Sequence, residues 1–141
     1  QPADELNALR TKGVRVARDK ATGAASFTSE SPGVDMRLEF FVGKVGKFKV
    51  KVGDAEIAYD TRALELTALG SKARVSPENG YVGVTVLTDR ASLELFAQYG
   101  LVSMPFFHHF DPNLSVTVEV ESGARVTRCD AWEMGSCWPK R

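Results

Sequence analysis

The sequence has little of what marks nucleic-acid-binding, membrane and metal-dependent proteins. Its 18 Lys and Arg residues balance 18 Asp and Glu residues, so no net charge attracts nucleic acid or an anionic membrane. No apolar run approaches the ~20 residues that a membrane-spanning helix needs. No basic segment followed by an apolar one opens the chain, as in a secretory signal peptide. We therefore expect neither nucleic acid nor a membrane as a partner.

Cysteine and histidine are scarce as well. The two cysteines, Cys129 and Cys137, would lie roughly 26 Å apart on one extended strand at ~3.3 Å per residue. A disulfide needs Cα atoms within about 7 Å, so a bridge would require a tight turn at Gly135-Ser136, and we expect both thiols to be free. His108 and His109 are the only histidines, and their adjacency does not match the spacing of zinc ligands. We predict no bound metal.

The motifs of several enzyme classes are missing. There is no Gly-x-Ser-x-Gly nucleophile elbow. The segment from Gly43 to Lys47 lacks the spacing and the following helix of a phosphate-binding loop, and we predict no cofactor. Paired carboxylates could in principle serve a glycosidase, although on an alternating strand such residues are usually only solvated. The candidate carboxylates are Glu39, Asp60, Asp89 and Glu94.

What the sequence does contain is repeated alternation of apolar and polar residues. Its length and its 43% hydrophobic content fit one globular domain. Turn residues separate the alternating segments, which predict half-buried strands. The clearest of these segments are Met36 to Phe40, Phe48 to Val52, Val82 to Val86, Leu93 to Leu95 and Val116 to Val120. We predict an all-β fold, an antiparallel two-sheet β-sandwich of the jelly-roll or concanavalin-like type.

One short helical turn is predicted near the N-terminus. Asp4 can cap a turn whose residues Leu6 and Leu9 share one face. No linker divides the remainder of the chain. We therefore predict a linker or helical tether at residues 1–10 and a single β-sandwich domain at residues 11–141.

The alternation from Ser92 to Phe96 predicts a strand with unusual charges. Strands usually exclude aspartate, yet an Asp89-Arg90 pair stands at the entrance of this one and Glu94 lies within it. These charges either hold a turn together or present a polar site.

Aromatic residues near the C-terminus also admit two interpretations. Trp132 could stack on the apolar face of a sugar ring or fill the core, whereas Trp138, near the chain end, is expected to pack.

His108 and His109 adjoin three phenylalanines, which could form a ligand platform or, as we favour, cap one end of the core. The three phenylalanines are Phe106, Phe107 and Phe110.

Four segments, in this order, resemble the C-terminal β-sandwich of glycoside hydrolase family 32, which contains invertases, levanases, inulinases and fructosyltransferases. They are residues 1–10 (QPADELNALR), Tyr59-Asp60 followed by Leu64-Glu65-Leu66, residues 88–96 (TDRASLELF) and residues 132–138 (WEMGSCW). The sandwich is also similar to carbohydrate-binding module family 66, whose members recognise terminal fructosyl units. In family 32 the catalytic motifs lie on an N-terminal propeller, and none of them occurs here. The resemblance therefore implies a sandwich that is not itself an enzyme, although it could belong to a fructan-hydrolysing glycosidase.

The resemblance leaves two functions open. The first is a non-catalytic module that binds fructosyl units, in which carboxylates, a cation and aromatic rings meet hydroxyls, ring oxygens and apolar patches of the sugar. The residues that could supply these groups are Glu39, Tyr59, Asp60, Asp89, Arg90, Glu94 and Trp132. The second is a structural sandwich that packs against a family 32 catalytic propeller. We expect a secreted or extracellular protein, with a cytoplasmic location left open.

Overall fold

The computed structural model describes residues 10–98 and 100–134, with the backbone alone for residues 10–12. The described residues contain strands and turns without a helix, and the predicted helical turn at Asp4 to Leu9 lies outside them. The strands are β1 (Arg10–Gly13), β2 (Ala17–Arg18), β3 (Ala25–Ser29), β4 (Val34–Phe41), β5 (Lys47–Val52), β6 (Ala55–Asp60), β7 (Glu65–Ala68), β8 (Ser71–Arg74), β9 (Tyr81–Thr88), β10 (Ser92–Ala97), β11 (Val102–Phe107), β12 (Leu114–Glu121) and β13 (Arg125–Met134).

These strands form two antiparallel sheets, and the predicted all-β sandwich is confirmed. Sheet A has the order β1-β13-β4-β9-β10-β11, and sheet B has the order β2-β3-β12-β5-β6-β7-β8. Arg10, at the end of the predicted linker, already pairs with Met134 in sheet A. Since no helix is present in these residues, none could span a membrane.

An aromatic stack joins the two sheets at the centre of the core. Phe40 of sheet A lies parallel to Phe48 of sheet B, with ring centroids 3.7 Å apart. Phe48 in turn stacks on Tyr59 of the neighbouring strand at 5.2 Å. Because side chains alternate between the two faces of a strand, this stack determines which residues of β4, β5 and β6 point inward and which point outward.

A β-bulge changes that alternation in β13. The pairing of β13 with β4 shifts between Val126 and Arg128, so that Thr127 is an extra residue. Val126 is buried before the bulge, and Cys129 and Ala131 are buried after it. Without the bulge, Arg128 and Trp132 would point into the core, as Val126 does. The bulge therefore turns Trp132 outward, and Cys129 is a buried free thiol whose pKa is raised by burial.

A buried carboxylate closes one end of the sandwich. Glu133 is 8% exposed, and its Oε2 accepts hydrogen bonds from the Ser29 hydroxyl (3.0 Å) and the Glu30 backbone N–H (2.8 Å). Ser29 is fully buried on the other sheet. Glu133 thus links β13 of sheet A to the end of β3 in sheet B, at a place where apolar side chains could not satisfy these donors.

We predict that Glu133→Ala lowers the free energy of unfolding by about 1–3 kcal/mol, because buried donors lose their acceptor. Glu133→Gln keeps one acceptor oxygen and should cost less. Urea denaturation at neutral pH measures both variants against the wild type. Equal stability of Glu133→Ala and the wild type would show that the link between the sheets contributes nothing.

Candidate functional site

The outward surface of sheet A, which we call the aromatic face, carries most of the exposed aromatic side chains. Tyr81 is 39% exposed and Phe107 is 99% exposed, whereas the other aromatic residues of this face are half-buried. Its aromatic members, with one or more on each of β4, β9, β10, β11 and β13, are Phe41, Tyr81, Phe96, Phe107 and Trp132. Such rings offer apolar area with defined orientation to a ligand or partner.

The outward surface of sheet B, which we call the charged face, has a different chemistry. Among its described strands no aromatic side chain points outward, and oppositely charged residues face each other across the sheet. The directly opposed pairs are Lys47 with Glu121, Lys49 with Glu119, Lys51 with Glu56 and Lys47 with Asp60. A groove of about 290 Å³ runs over this ladder. Rows of opposite exposed charge on neighbouring strands are typical of a solvated surface.

The structure brings three of the predicted ligand residues to the aromatic face. Trp132, Asp35, Leu87 and Glu94 are opposed in one row across β13, β4, β9 and β10. Glu39 lies on the same face, opposite Arg128 and Gly83. Four residues along β4 separate Asp35 from Glu39, which is about 13 Å at ~3.3 Å per residue. Trp132 and Glu39 therefore share a surface and do not share one small pocket.

Trp132 packs on a charged neighbour. The Arg37 guanidinium lies 5.9 Å from the centroid of its ring, within the range of a cation–π interaction. Arg37 also reaches both carboxylate oxygens of Asp35 at 3.4 Å. The Asp35 side chain is fully buried although it belongs to the outward set of β4. Trp132 and Arg37 thus form part of a packed cover over a buried carboxylate.

Tyr59 lies in the core, away from the aromatic face. It is 2% exposed, and its hydroxyl donates to the Val75 carbonyl at 2.7 Å. Burial raises the pKa of Tyr59 to about 12, and the nearby charge of Asp60 acts in the same direction. Asp60 faces outward on the charged face and accepts a hydrogen bond from the Arg62 backbone N–H at 2.9 Å. The predicted set therefore divides between two sheets.

Asp89 and Arg90 form the turn between β9 and β10. Asp89 Oδ1 accepts from the Ala91 N–H at 2.8 Å and from the Ser92 hydroxyl at 2.9 Å. The Asp89 N–H donates to the Ser92 carbonyl, and the Arg90 carbonyl accepts from the Phe110 N–H at 3.0 Å. This is the geometry of an aspartate that stabilises its own turn. Of the two interpretations of these charges, the structure favours the turn.

The aromatic face contains a cleft that the sequence patterns did not identify as a site. Its volume is about 250 Å³, and it is lined by Glu39, Glu78, Asn79, Tyr81, Gly83 and Gln98. Glu78 and Tyr81 exchange two backbone hydrogen bonds across Asn79-Gly80, both of which have positive φ. Asn-Gly is the characteristic pair of such a two-residue turn, so the sequence contained this signal.

Gln98 holds the opposite side of the cleft. Its Oε1 accepts from the Gly83 N–H at 2.9 Å, and its Nε2 donates to the Ser76 carbonyl at 2.7 Å. Both polar atoms of this buried amide are therefore engaged with backbone. Gln98 positions the beginning of β9 against the segment before the turn, and it has little capacity left for a ligand.

The histidine cluster splits into buried and exposed parts. Phe110 is 2% exposed and closes the core, whereas Phe107 projects into solvent. His108 Nε2 lies 2.7 Å from Asp54 Oδ1, and this hydrogen bond holds the pKa of Asp54 below its usual value. The contact ties the end of β11 to the β5–β6 hairpin. Within residues 10–98 and 100–134 no group of His, Cys, Asp and Glu is arranged to hold a metal ion.

Comparison with solved structures identifies the fold. Exo-inulinase from Aspergillus awamori superimposes with a TM-score of 0.74 at 16% identity, over 98% of this chain and 32% of that one. A glycoside hydrolase family 32 protein from Bifidobacterium adolescentis gives 0.71 at 16% identity, over 99% of this chain and 24% of that one. The fold is that of a β-sandwich found in glycoside hydrolase family 32 enzymes.

The Bombyx mori family 32 β-fructofuranosidase BmSUC1 gives the same result, with a TM-score of 0.71, 17% identity and coverage of 99% of this chain and 30% of that one. The chain therefore spans about a quarter to a third of the length of these enzymes. No protein-family model and no curated protein matches the sequence. The sandwich fold implied by the family resemblance is confirmed.

We predict that Tyr59→Phe lowers the free energy of unfolding by about 1–3 kcal/mol, because the buried Val75 carbonyl loses its hydroxyl donor. Since the folded pKa of Tyr59 is raised from 10.0 to about 12, its contribution is complete below pH 10 and is lost as the pH rises towards 12. Urea denaturation between pH 7 and this range should show the two proteins converging. A variant as stable as wild type but deficient in sugar binding would instead make Tyr59 a ligand contact.

We predict that Asp89→Ala lowers the free energy of unfolding by about 0.5–1.5 kcal/mol, since the turn loses two hydrogen bonds. Arg90→Ala is the matched control and should stay within about 0.5 kcal/mol of wild type, because its side chain is exposed. Thermal and urea unfolding measure both. If Arg90→Ala is the more damaging change, the turn is not held by Asp89.

Proposed function

We propose that the chain is a non-catalytic carbohydrate-binding module of a fructan-acting glycoside hydrolase, and that its aromatic face binds fructosyl units. The observation that carries this proposal is the contrast between the two outward surfaces. One presents Trp132, Tyr81 and other rings beside carboxylates, while the other presents rows of opposed charges without an outward aromatic ring on its described strands. Sugars offer both apolar patches and hydroxyl groups, and of the two described faces the aromatic face has partners for both.

The polar groups of the aromatic face suit hydroxyl recognition. Glu39 and Glu94 stand on β4 and β10, and carboxylates accept short, strong hydrogen bonds from hydroxyl donors. Within the described residues Glu94 has no hydrogen-bond or ion-pair partner, so its oxygens remain available. Tyr59 and Asp60 leave the proposed site because they belong to sheet B. Asp89 leaves it because it lies in the β9–β10 turn, where Oδ1 accepts two hydrogen bonds from the turn itself.

The absence of catalysis is part of the proposal. The family 32 enzymes that this chain resembles are three to four times its length, so the superposition covers only a minor part of each. None of the family's catalytic carboxylate motifs occurs in this sequence. A module of this kind would act outside the cell by keeping an attached or associated catalytic domain near its fructan.

A second function is supported by a different observation. Leu101 is 85% exposed and Phe107 is 99% exposed at the β11 edge of sheet A. The two residues lie at opposite ends of β11, and exposed apolar side chains along a sheet edge favour a surface that packs against another domain. The alternative is therefore a structural sandwich whose β11 edge packs against a catalytic propeller of the family 32 type.

Isothermal titration calorimetry with levan, inulin, sucrose and fructose tests the carbohydrate-binding function. We expect binding to at least one of them with a Kd from micromolar to millimolar, about −4 to −8 kcal/mol. Lys51→Ala, on the charged face, is the matched control and should bind like the wild type. No heat with any of the four ligands at millimolar concentration would contradict the proposal and favour the structural alternative.

A further inference from the structure

We propose that the cleft between Glu39 and Tyr81 is the binding site of a single neutral sugar ring, which stacks on the Tyr81 ring. This inference rests on the proposed carbohydrate-binding function and specifies where on the aromatic face the sugar lies. The cleft is formed by β4, β9 and the Glu78–Tyr81 turn, and none of its residues except Glu39 was suggested by the sequence.

A glycine lines the cleft. The outward positions of β9 are Tyr81, Gly83, Thr85 and Leu87, and Gly83 contributes backbone alone to the cleft wall. Glu39 lies directly across from Gly83 on β4. The cleft volume of about 250 Å³ is below the about 300–1,000 Å³ of sites for drug-sized ligands, which matches one sugar ring better than an oligosaccharide.

The aromatic wall of the cleft is held in place before any ligand arrives. Tyr81 meets Phe41 edge to face, with centroids 5.4 Å apart and ring planes at 68°. Phe41 is itself covered by the Arg125 guanidinium at 5.5 Å. The Tyr81 backbone is fixed by its two hydrogen bonds with Glu78. Since an ordered ring loses little conformational entropy on binding, Tyr81 is preorganised as a stacking surface.

Some of the polar groups around the Tyr81 ring remain available for hydrogen bonds with a ligand. Glu39 Oε1 lies 2.9 Å from the Thr127 hydroxyl, which is shared with the Glu39 carbonyl at 3.1 Å, and Oε2 has no partner among the described residues. The exposed side chains of Glu78 and Asn79 have no hydrogen-bond partner among the described residues. Two carboxylates and an amide around one ring can bind vicinal hydroxyls from two directions.

The charge of the cleft restricts the class of sugar. Glu39 and Glu78 both carry negative charge, and Arg128, opposite Glu39, is engaged by Asp130 at 2.7 Å. A uronic acid or a sulfated sugar would therefore meet like charges in a site that lacks an uncommitted cation among its lining residues. The cleft is suited to uncharged sugars such as a fructosyl unit.

Calorimetric titration of the wild type and three variants with the best fructan ligand tests this site. Tyr81→Ala and Glu39→Gln should each weaken binding at least tenfold, and Lys51→Ala should leave it unchanged. Glu39→Gln preserves shape and the Thr127 contact, so it keeps the test valid if Tyr81→Ala unfolds. Thermal unfolding checks that each variant is folded. Galacturonate oligomers should give no heat.

The outcomes separate this inference from the function on which it rests. Wild-type protein that binds no fructan overturns both. Wild-type binding that survives in both Tyr81→Ala and Glu39→Gln, and that is lost in Trp132→Phe, keeps the carbohydrate function and overturns the cleft as the site. Binding of galacturonate as tightly as fructan overturns the charge argument.

Discussion

Contact between the two sheets through the Phe40–Phe48–Tyr59 stack is the constraint on which the rest of the structure depends. The stack places every second residue of β4, β5 and β6 in the core. Because side chains alternate along a strand, burying Phe40 turns Glu39 and Phe41 outward, and burying Phe48 turns Lys47 and Lys49 outward. Because these alternate residues point inward, the residues between them form the outer faces and determine the chemistry of both.

This alternation separates two surfaces with different properties. One sheet presents lysines opposite carboxylates, and Lys49 forms an ion pair with Glu56 at 4.0 Å, as is common on a solvated surface. The other presents Trp132, Tyr81 and Phe107 among carboxylates. Such exposed rings lower the solubility of a protein unless a ligand or another domain covers them. The sugar site and the packing surface that we propose lie on different parts of this sheet, at the Glu78–Tyr81 turn and at the β11 edge.

The sequence predicted the sandwich because long alternating segments such as Val116 to Val120 have a single buried face. The orientation of Trp132 stayed ambiguous because a one-residue bulge in β13 reverses which side chains point inward. The uneven spacing of the buried residues Val126, Cys129 and Ala131 indicates this bulge. Tyr59 was assigned to the site as an aromatic residue beside Asp60, whereas its ring stacks on Phe48 in the core and its hydroxyl donates to the Val75 carbonyl. The cleft could not be predicted because it combines β4 and a turn distant in sequence.

Amide chemical shifts of the ¹⁵N-labelled chain, followed during titration with a short fructan, test the central claim most directly. We predict that the perturbed amides cluster around Glu39, Gly83 and the Glu78–Tyr81 turn on the aromatic face, while the strands of the charged face stay unchanged. Perturbations centred on the groove near Lys49 and Glu119 would contradict the account, because they would place the ligand on the surface that we interpret as solvated.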